Sequence, residues 1–475
     1  MNKIKGAIIR WGIGIVLAIL GIIFICNIDL VMEPLLQLKE NQSELSEIPE
    51  DELLSEADIK RDMKNQVAAI GDLEDYLAEK EIPFLYIQVP YKEKAEGELL
   101  PEGVVSYANQ NQTELLDFLE SMQVETLELS SQMSATEELT NKYFYKTDHY
   151  WNNYGAFFAF QMICDRIADM FSEKEFDFTY TDIAEWESHT LKNWLFGTGP
   201  GYTKTDDFTW YTPKFETDMS YAIPTKRQMI SGDFETVIMR EPYVEVKNRF
   251  EPAFYVTYIG DDYPVVQHRN RTPVSDLKLL IIKDSYTLPV QAYLSTVFRE
   301  IDVLDPRLTM DCTVAEYIAG TEPDLVVLML SPSAIGAEPY LDFGVEEARS
   351  QGTRKEQPLW QKDIEVKPSE TNAYCYSYVK AEYGKTYTVS FDDVLFTQGE
   401  AEGVVMGLYN QTSKKLLSTA VFDLAYVRQQ GEFSWSFSTP DEGADNLLLI
   451  FYAGMPGETK NIGVQYQNVT LYEWE

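Results

Sequence analysis

The chain has 475 residues, too many for one ordinary core and enough for two or three domains. Asp and Glu number 77 against 39 Lys and Arg, a net charge of −38 that repels phosphate backbones and argues against a nucleic-acid partner. Only His149, His189 and His268 are available as imidazoles, and Cys26, Cys164, Cys312 and Cys375 are far apart, so neither a multi-histidine metal centre nor a disulfide scaffold is expected. No metal or other cofactor is called for.

At the N-terminus Lys3, Lys5 and Arg10 precede an unbroken apolar run over residues 11–26, extended by Ile8, Ile9 and Ile28 to roughly one bilayer crossing. The basic flank belongs in the cytoplasm, which puts the bulk of the chain outside the cell membrane. No Ala-x-Ala site follows the run, so the segment is expected to stay as a single-pass anchor over residues 1–32. Residues 33–60 are acidic and read as a stalk.

Beyond the stalk, helix and strand patterns alternate. Val67, Ile70, Leu73 and Leu77 recur at helical spacing in residues 62–80, and an apolar strand pattern follows over 84–89. A helix over 112–122, a strand over 124–129 and an amphipathic helix over 154–171 come next. Residues 176–271 are aromatic and irregular, with strands and loops expected. Then short apolar strands at 277–282, 301–304 and 324–330 alternate with helices at 286–297 and 313–319. Largely apolar strands alternating with helices predict a parallel sheet covered on both faces.

After a polar, turn-rich linker at 351–357 the pattern changes. Short alternating strands recur at 386–391, 404–409, 433–438, 447–452 and 464–472, the signature of an antiparallel β-sandwich over 351–475. The fold class is thus α/β over residues 61–350, followed by a β-sandwich.

Two motifs bear on chemistry. Lys283-Asp284-Ser285-Tyr286 follows the apolar strand 277–282, so Ser285 falls where a strand turns into a helix. A serine there reads either as a nucleophile near helix-terminal N–H groups or as part of an ordinary helix cap. Thr147-Asp148-His149-Tyr150-Trp151 supplies an imidazole beside a carboxylate, the groups a serine nucleophile needs as base and orienter. The same residues read equally as a capped turn with packed aromatics. Trp186, Trp194 and Trp210, and Trp360, Tyr374, Trp435 and Tyr452 further on, have faces suited to sugars, with core packing as their default role.

Asp148-His149-Tyr150-Trp151 resembles the signature of the bacterial DHHW family, which looks like the SGNH-hydrolase-like domain of periplasmic alginate O-acetyltransferases. The resemblance continues in Val89-Pro90-Tyr91-Lys92, Tyr258-Ile259-Gly260-Asp261, residues 279–286 and Val303-Leu304-Asp305-Pro306-Arg307, and so spans about residues 60–340. The Asp/His block precedes the serine, as in the acetyltransferase branch. That branch reads Asp-x-His-Trp. Aligned on Asp148 and Trp151, Tyr150 occupies the histidine's place and His149 the variable one.

The resemblance implies an SGNH-hydrolase-like domain that transfers an O-acyl group, most simply acetyl, to or from a cell-envelope or exported polysaccharide. Ser285 is then the nucleophile, His149 the base and Asp148 its orienter. Gly260, Lys92, Tyr150 and Trp151 are candidates for the oxyanion or the substrate. A membrane partner supplying the acyl group is implied. The sandwich loosely resembles carbohydrate-binding modules. Tyr150 favours the alternative, a non-catalytic glycan-binding or scaffold protein of the same fold.

Overall fold

The computed structural model of the chain describes residues 60–92, 107–174, 176–196, 205–240, 252–379, 381–431, 433–440 and 446–475. The expected anchor and nearly all of the stalk lie outside these residues. Among the described residues no helix is long and apolar enough to cross a membrane.

Among the described residues, ten strands precede the linker: β1 (Phe84–Gln88), β2 (Thr126–Glu128), β3 (Trp186–Phe196), β4 (Thr205–Pro213), β5 (Met219–Ile223), β6 (Gln228–Gly232), β7 (Val265–Asn270), β8 (Ser275–Lys283), β9 (Phe298–Leu304) and β10 (Leu325–Leu330). Eight of them form one sheet in the order β2-β1-β10-β8-β9-β7-β5-β6. The half from β2 to β9 is parallel, as expected. The other half corrects the expectation of a parallel sheet, because β7, β5 and β6 each join antiparallel. These strands come from the irregular segment 176–271, where a single 3-10 turn at Pro224–Lys226 links β5 to β6. A connection that short permits only an antiparallel pair.

Strand alternation sorts the central side chains into two cores. Leu85 and Ile87 of β1, Leu279 and Ile281 of β8, and Val327 and Met329 of β10 enter one, with the helix Asn153–Met170. Tyr86, Leu280, Ile282, Val326 and Leu328 enter the other, under the helices Lys64–Glu79, Ala108–Ser121 and Val314–Thr321. Burial on both faces explains why the central stretches of these strands are mostly apolar.

The expected helix over 286–297 is shorter. A 3-10 turn, Ser285–Thr287, comes first, and the α-helix covers Leu288–Leu294 with Pro289 in its first turn.

The C-terminal part holds β11 (Trp360–Val366), β12 (Tyr374–Val379), β13 (Thr386–Phe391), β14 (Asp393–Gln398), β15 (Gly403–Asn410), β16 (Lys415–Asp423), β17 (Phe433–Ser438), β18 (Leu447–Tyr452) and β19 (Gly463–Glu473). They form antiparallel sheets of five and four strands. Val389, Tyr466 and Leu471 of one sheet and Met406, Leu408 and Leu449 of the other meet in a single core. The sandwich packs on the α/β part through a buried ion pair, Arg271 Nη2 to Asp423 Oδ2 at 2.6 Å, and through the Tyr426 hydroxyl, which donates to Glu300 at 2.7 Å.

Candidate active site

Ser285 stands two residues past the buried end of β8, at the first position of the 3-10 turn. Asp284 caps that turn: its Oδ1 accepts from the Tyr286 N–H at 3.0 Å and its Oδ2 from the Ser331 N–H at 2.7 Å. The bond to Ser331 ties the turn to the end of β10. Burial pushes the Asp284 carboxyl up, against the pull of those hydrogen bonds. Asp284 is therefore the cap foreseen as one reading, and Ser285 beside it stays half-buried at the sheet's carboxyl edge.

The Asp148–Trp151 loop comes to the same edge. Phe144 and Trp151 form an antiparallel bridge at its base. The Tyr150 hydroxyl donates to Ser285 Oγ at 2.8 Å. Among the described residues this is the hydrogen bond made to Ser285 Oγ, and the expected contact with His149 is not made. The reason is local geometry. Tyr150 turns inward, stacked on Tyr255 with ring centroids 3.8 Å apart, and takes the place at Ser285, while His149 lies on its outer side.

The His149 side chain is 52% exposed, with Nδ1 2.8 Å from Asp148 Oδ1. That contact joins the two residues that the sequence reading named as candidate base and orienter, and it leaves Nε2 unengaged with Asp148. The imidazole lies against Tyr150, ring centroids 4.1 Å apart. Burial pushes the Tyr150 phenol above its ordinary value, although the Ser285 hydrogen bond pulls the other way. It therefore keeps its proton and acts as a donor.

The remaining candidates are distributed as follows. Lys92 Nζ donates to the Asp148 carbonyl at 2.7 Å and so fastens the loop. Trp151 is completely buried, which leaves no ring face for substrate, and its Nε1 donates to the Tyr255 hydroxyl at 3.2 Å. The Gly260 N–H, considered for an oxyanion, instead donates to the Tyr258 carbonyl at 2.9 Å. At φ +96° the position suits glycine, and a Cβ would meet the Arg240 side chain. His189 bonds Thr212 on the β3–β4 hairpin at 2.9 Å. Burial lowers His268 to about 3, aided by Arg269 and Arg240, so it stays neutral.

Two features carried no role in the sequence reading. Tyr255 is the hub of the site: it stacks on Tyr150, accepts from Trp151 and donates to the Tyr286 carbonyl at 2.6 Å. Lys283 is buried and pairs with Asp262 and with Asp305 Oδ2 at 3.3 Å. Arg307 closes the network, with Nε 2.8 Å from Asp305 Oδ1 and Nη2 2.9 Å from Asp262 Oδ2. Charged residues at the end of β8 (Lys283) and just past the end of β9 (Asp305, Arg307) were the available signal, since an edge of a parallel sheet cannot hold them unpaired. Among the described residues no cluster of His, Cys, Asp and Glu could hold a metal ion.

Residues 49–216 match the family model of the SGNH hydrolase-like domain of the acetyltransferase AlgX, so the resemblance read from the sequence holds for the stretch that carries Asp148–Trp151. The match ends before Ser285. No curated protein matches the chain. Among solved structures the chain is similar to Bacillus cereus PatB1, at 23% identity and a TM-score of 0.49, over 60% of this chain and 95% of that one. A DHHW family protein from Eubacterium siraeum aligns at 18% identity and a TM-score of 0.43, over 61% and 90%. Pseudomonas aeruginosa AlgX aligns at 11% identity and a TM-score of 0.34, over 88% and 90%.

Proposed function

We propose that the protein is a membrane-anchored, extracytoplasmic O-acyl transferase or esterase that uses Ser285 on a cell-envelope or exported polysaccharide, acetyl being the simplest acyl group. The observation that carries this reading is the meeting of Ser285, at the end of β8, with the Asp148–Trp151 loop, which lies within the AlgX-like match.

Ser285 Oγ attacks the acyl carbonyl and passes its proton to His149 Nε2, while Asp148 holds Nδ1. The tetrahedral intermediate collapses, and the donor's alcohol leaves with the proton from His149. A sugar hydroxyl or water then attacks the acyl-enzyme, with His149 again as base. In this scheme the Tyr150 hydrogen bond belongs to the resting state, and the imidazole takes its place at Oγ when substrate enters. The sandwich supplies glycan contact. In support, Tyr374, Tyr376 and Tyr378 stand 54%, 57% and 60% exposed at alternate positions of β12.

The Tyr150–Ser285 bond also favours a second reading, a glycan-binding or scaffold protein whose site is catalytically degenerate. Release of p-nitrophenol from its acetate ester decides between them. The first reading expects release that Ser285→Ala abolishes. The second expects none from the wild type.

A further inference from the structure

Tyr286 directly follows Ser285 in the 3-10 turn and is 5% exposed. Its backbone is held at both ends. The N–H donates to Asp284 Oδ1 at 3.0 Å, and the carbonyl accepts from the Tyr255 hydroxyl at 2.6 Å. The side chain therefore projects from a fixed stem. Its ring lies against each of the three residues after Asp148, with centroids 5.9 Å from His149, 4.7 Å from Tyr150 and 5.7 Å from Trp151. At its tip the hydroxyl donates to the His149 carbonyl at 3.0 Å.

That carbonyl is the middle one of three in a row, each accepting from a residue outside the Asp148–Trp151 loop. Lys92 Nζ donates to the Asp148 carbonyl at 2.7 Å, and the Tyr145 N–H to the Tyr150 carbonyl at 3.2 Å. The His149 and Tyr150 N–H groups donate to Asp148 Oδ1 at 2.6 and 3.4 Å. A shift of this backbone would break several of these bonds together, and each one left unmade is destabilising. The imidazole is under no such restraint. It is 52% exposed and lies 4.1 Å from the Tyr150 ring, centroid to centroid.

Of the three clamps, the one from Tyr286 starts at the residue next to Ser285 and ends on the backbone of His149 itself. It therefore sets the separation between the serine and the stem that carries the imidazole.

We propose that Tyr286 is the positioning residue of the site: its hydroxyl holds the His149 backbone at a fixed distance from Ser285, so that His149 replaces Tyr150 at Oγ by side-chain rotation alone. This rests on the acylation reading above and adds how the base is placed. The Tyr286 hydroxyl meets backbone and not the reacting atoms, so it acts through His149.

Tyr286→Phe tests it, because it keeps the ring and deletes only the hydroxyl. In acetyl-ester cleavage by the full chain, kcat and kcat/KM should fall together by roughly ten- to a hundredfold, the cost of a base displaced by up to an ångström, with KM unchanged. In a His149→Ala background the same substitution should change the residual rate by less than about twofold, because the group through which Tyr286 acts is gone. A wild-type kcat in the single variant overturns the inference. So does a fall as large in the His149→Ala background, which a merely structural role would give. Should Tyr286→Phe fail to fold, Lys92→Met, which frees the neighbouring carbonyl, carries the same comparison with the same two outcomes. Ser285-dependent cleavage that Tyr286→Phe leaves untouched removes the positioning role and keeps the acylation reading. Absence of cleavage by the wild type removes the acylation reading, and the positioning role with it.

Discussion

The Tyr150 phenol donates a 2.8 Å hydrogen bond to the Ser285 hydroxyl across 135 residues of sequence. The imidazole beside it, His149, points to solvent with Nδ1 on Asp148. A phenol raised by burial cannot take the serine proton, so catalysis at Ser285 requires His149 to displace it.

Four variants separate the roles in an acetyl-ester assay. Ser285→Ala should abolish turnover. His149→Ala should lower it by roughly two to four orders of magnitude, the usual worth of a positioned base. Tyr150→Phe should stay within about tenfold of wild type, because the phenol leaves Oγ before attack. Tyr150→His should raise turnover by restoring the Asp-x-His-Trp pattern. Activity in Tyr150→His alone would establish the degenerate-site reading.

Acid should weaken the site through Asp305. Burial raises this carboxyl, but the Arg307 hydrogen bond and the Lys283 and Arg307 charges outweigh it, so its folded value lies below the ordinary one. A depressed carboxylate contributes stability above its unfolded value, about 3.9, and that contribution is lost as pH falls through the folded value. Urea unfolding should therefore show falling stability below about pH 4. Asp305→Asn should cost about 1–3 kcal/mol at pH 7, because buried Lys283 loses one of its two carboxylate partners and keeps Asp262, and should flatten the acid slope. An unchanged slope in that variant would assign the acid sensitivity elsewhere.

Trp151→Ala should destabilise the protein by roughly 3–5 kcal/mol, because it empties a fully buried site and removes the donor to Tyr255. Thermal unfolding measures it. A loss below about 1 kcal/mol would mean that the ring's burial is not what holds the loop.

Residues 351–475 should fold as a separate unit, since both sheets share one core. The expressed fragment should melt cooperatively with a β-type circular dichroism spectrum. A broad, non-cooperative melt would show that the sandwich depends on contacts such as Arg271–Asp423.

The apolar run over residues 11–26 should remain in the mature protein. N-terminal sequencing of membrane-extracted protein should find a start before residue 26, and a start beyond it removes the anchor.

Local pattern carried much of the fold by itself. The mostly apolar stretches of β1, β8 and β10 announced strands buried on both faces, and the short alternating strands after residue 357 announced the sandwich. These signals are legible because burial on one or two faces writes itself into residue spacing. Ser285 was legible for the same reason, as the residue just past an apolar strand. Tertiary structure decided what spacing does not encode. It joined β7, β5 and β6 antiparallel, and it gave Lys283 its carboxylate partners from Asp262 and Asp305. It also chose which side chain after Asp148 meets Ser285. The ring of Tyr255, distant in sequence, supplied the surface that drew Tyr150 inward to Ser285 and left His149 half-exposed at its side.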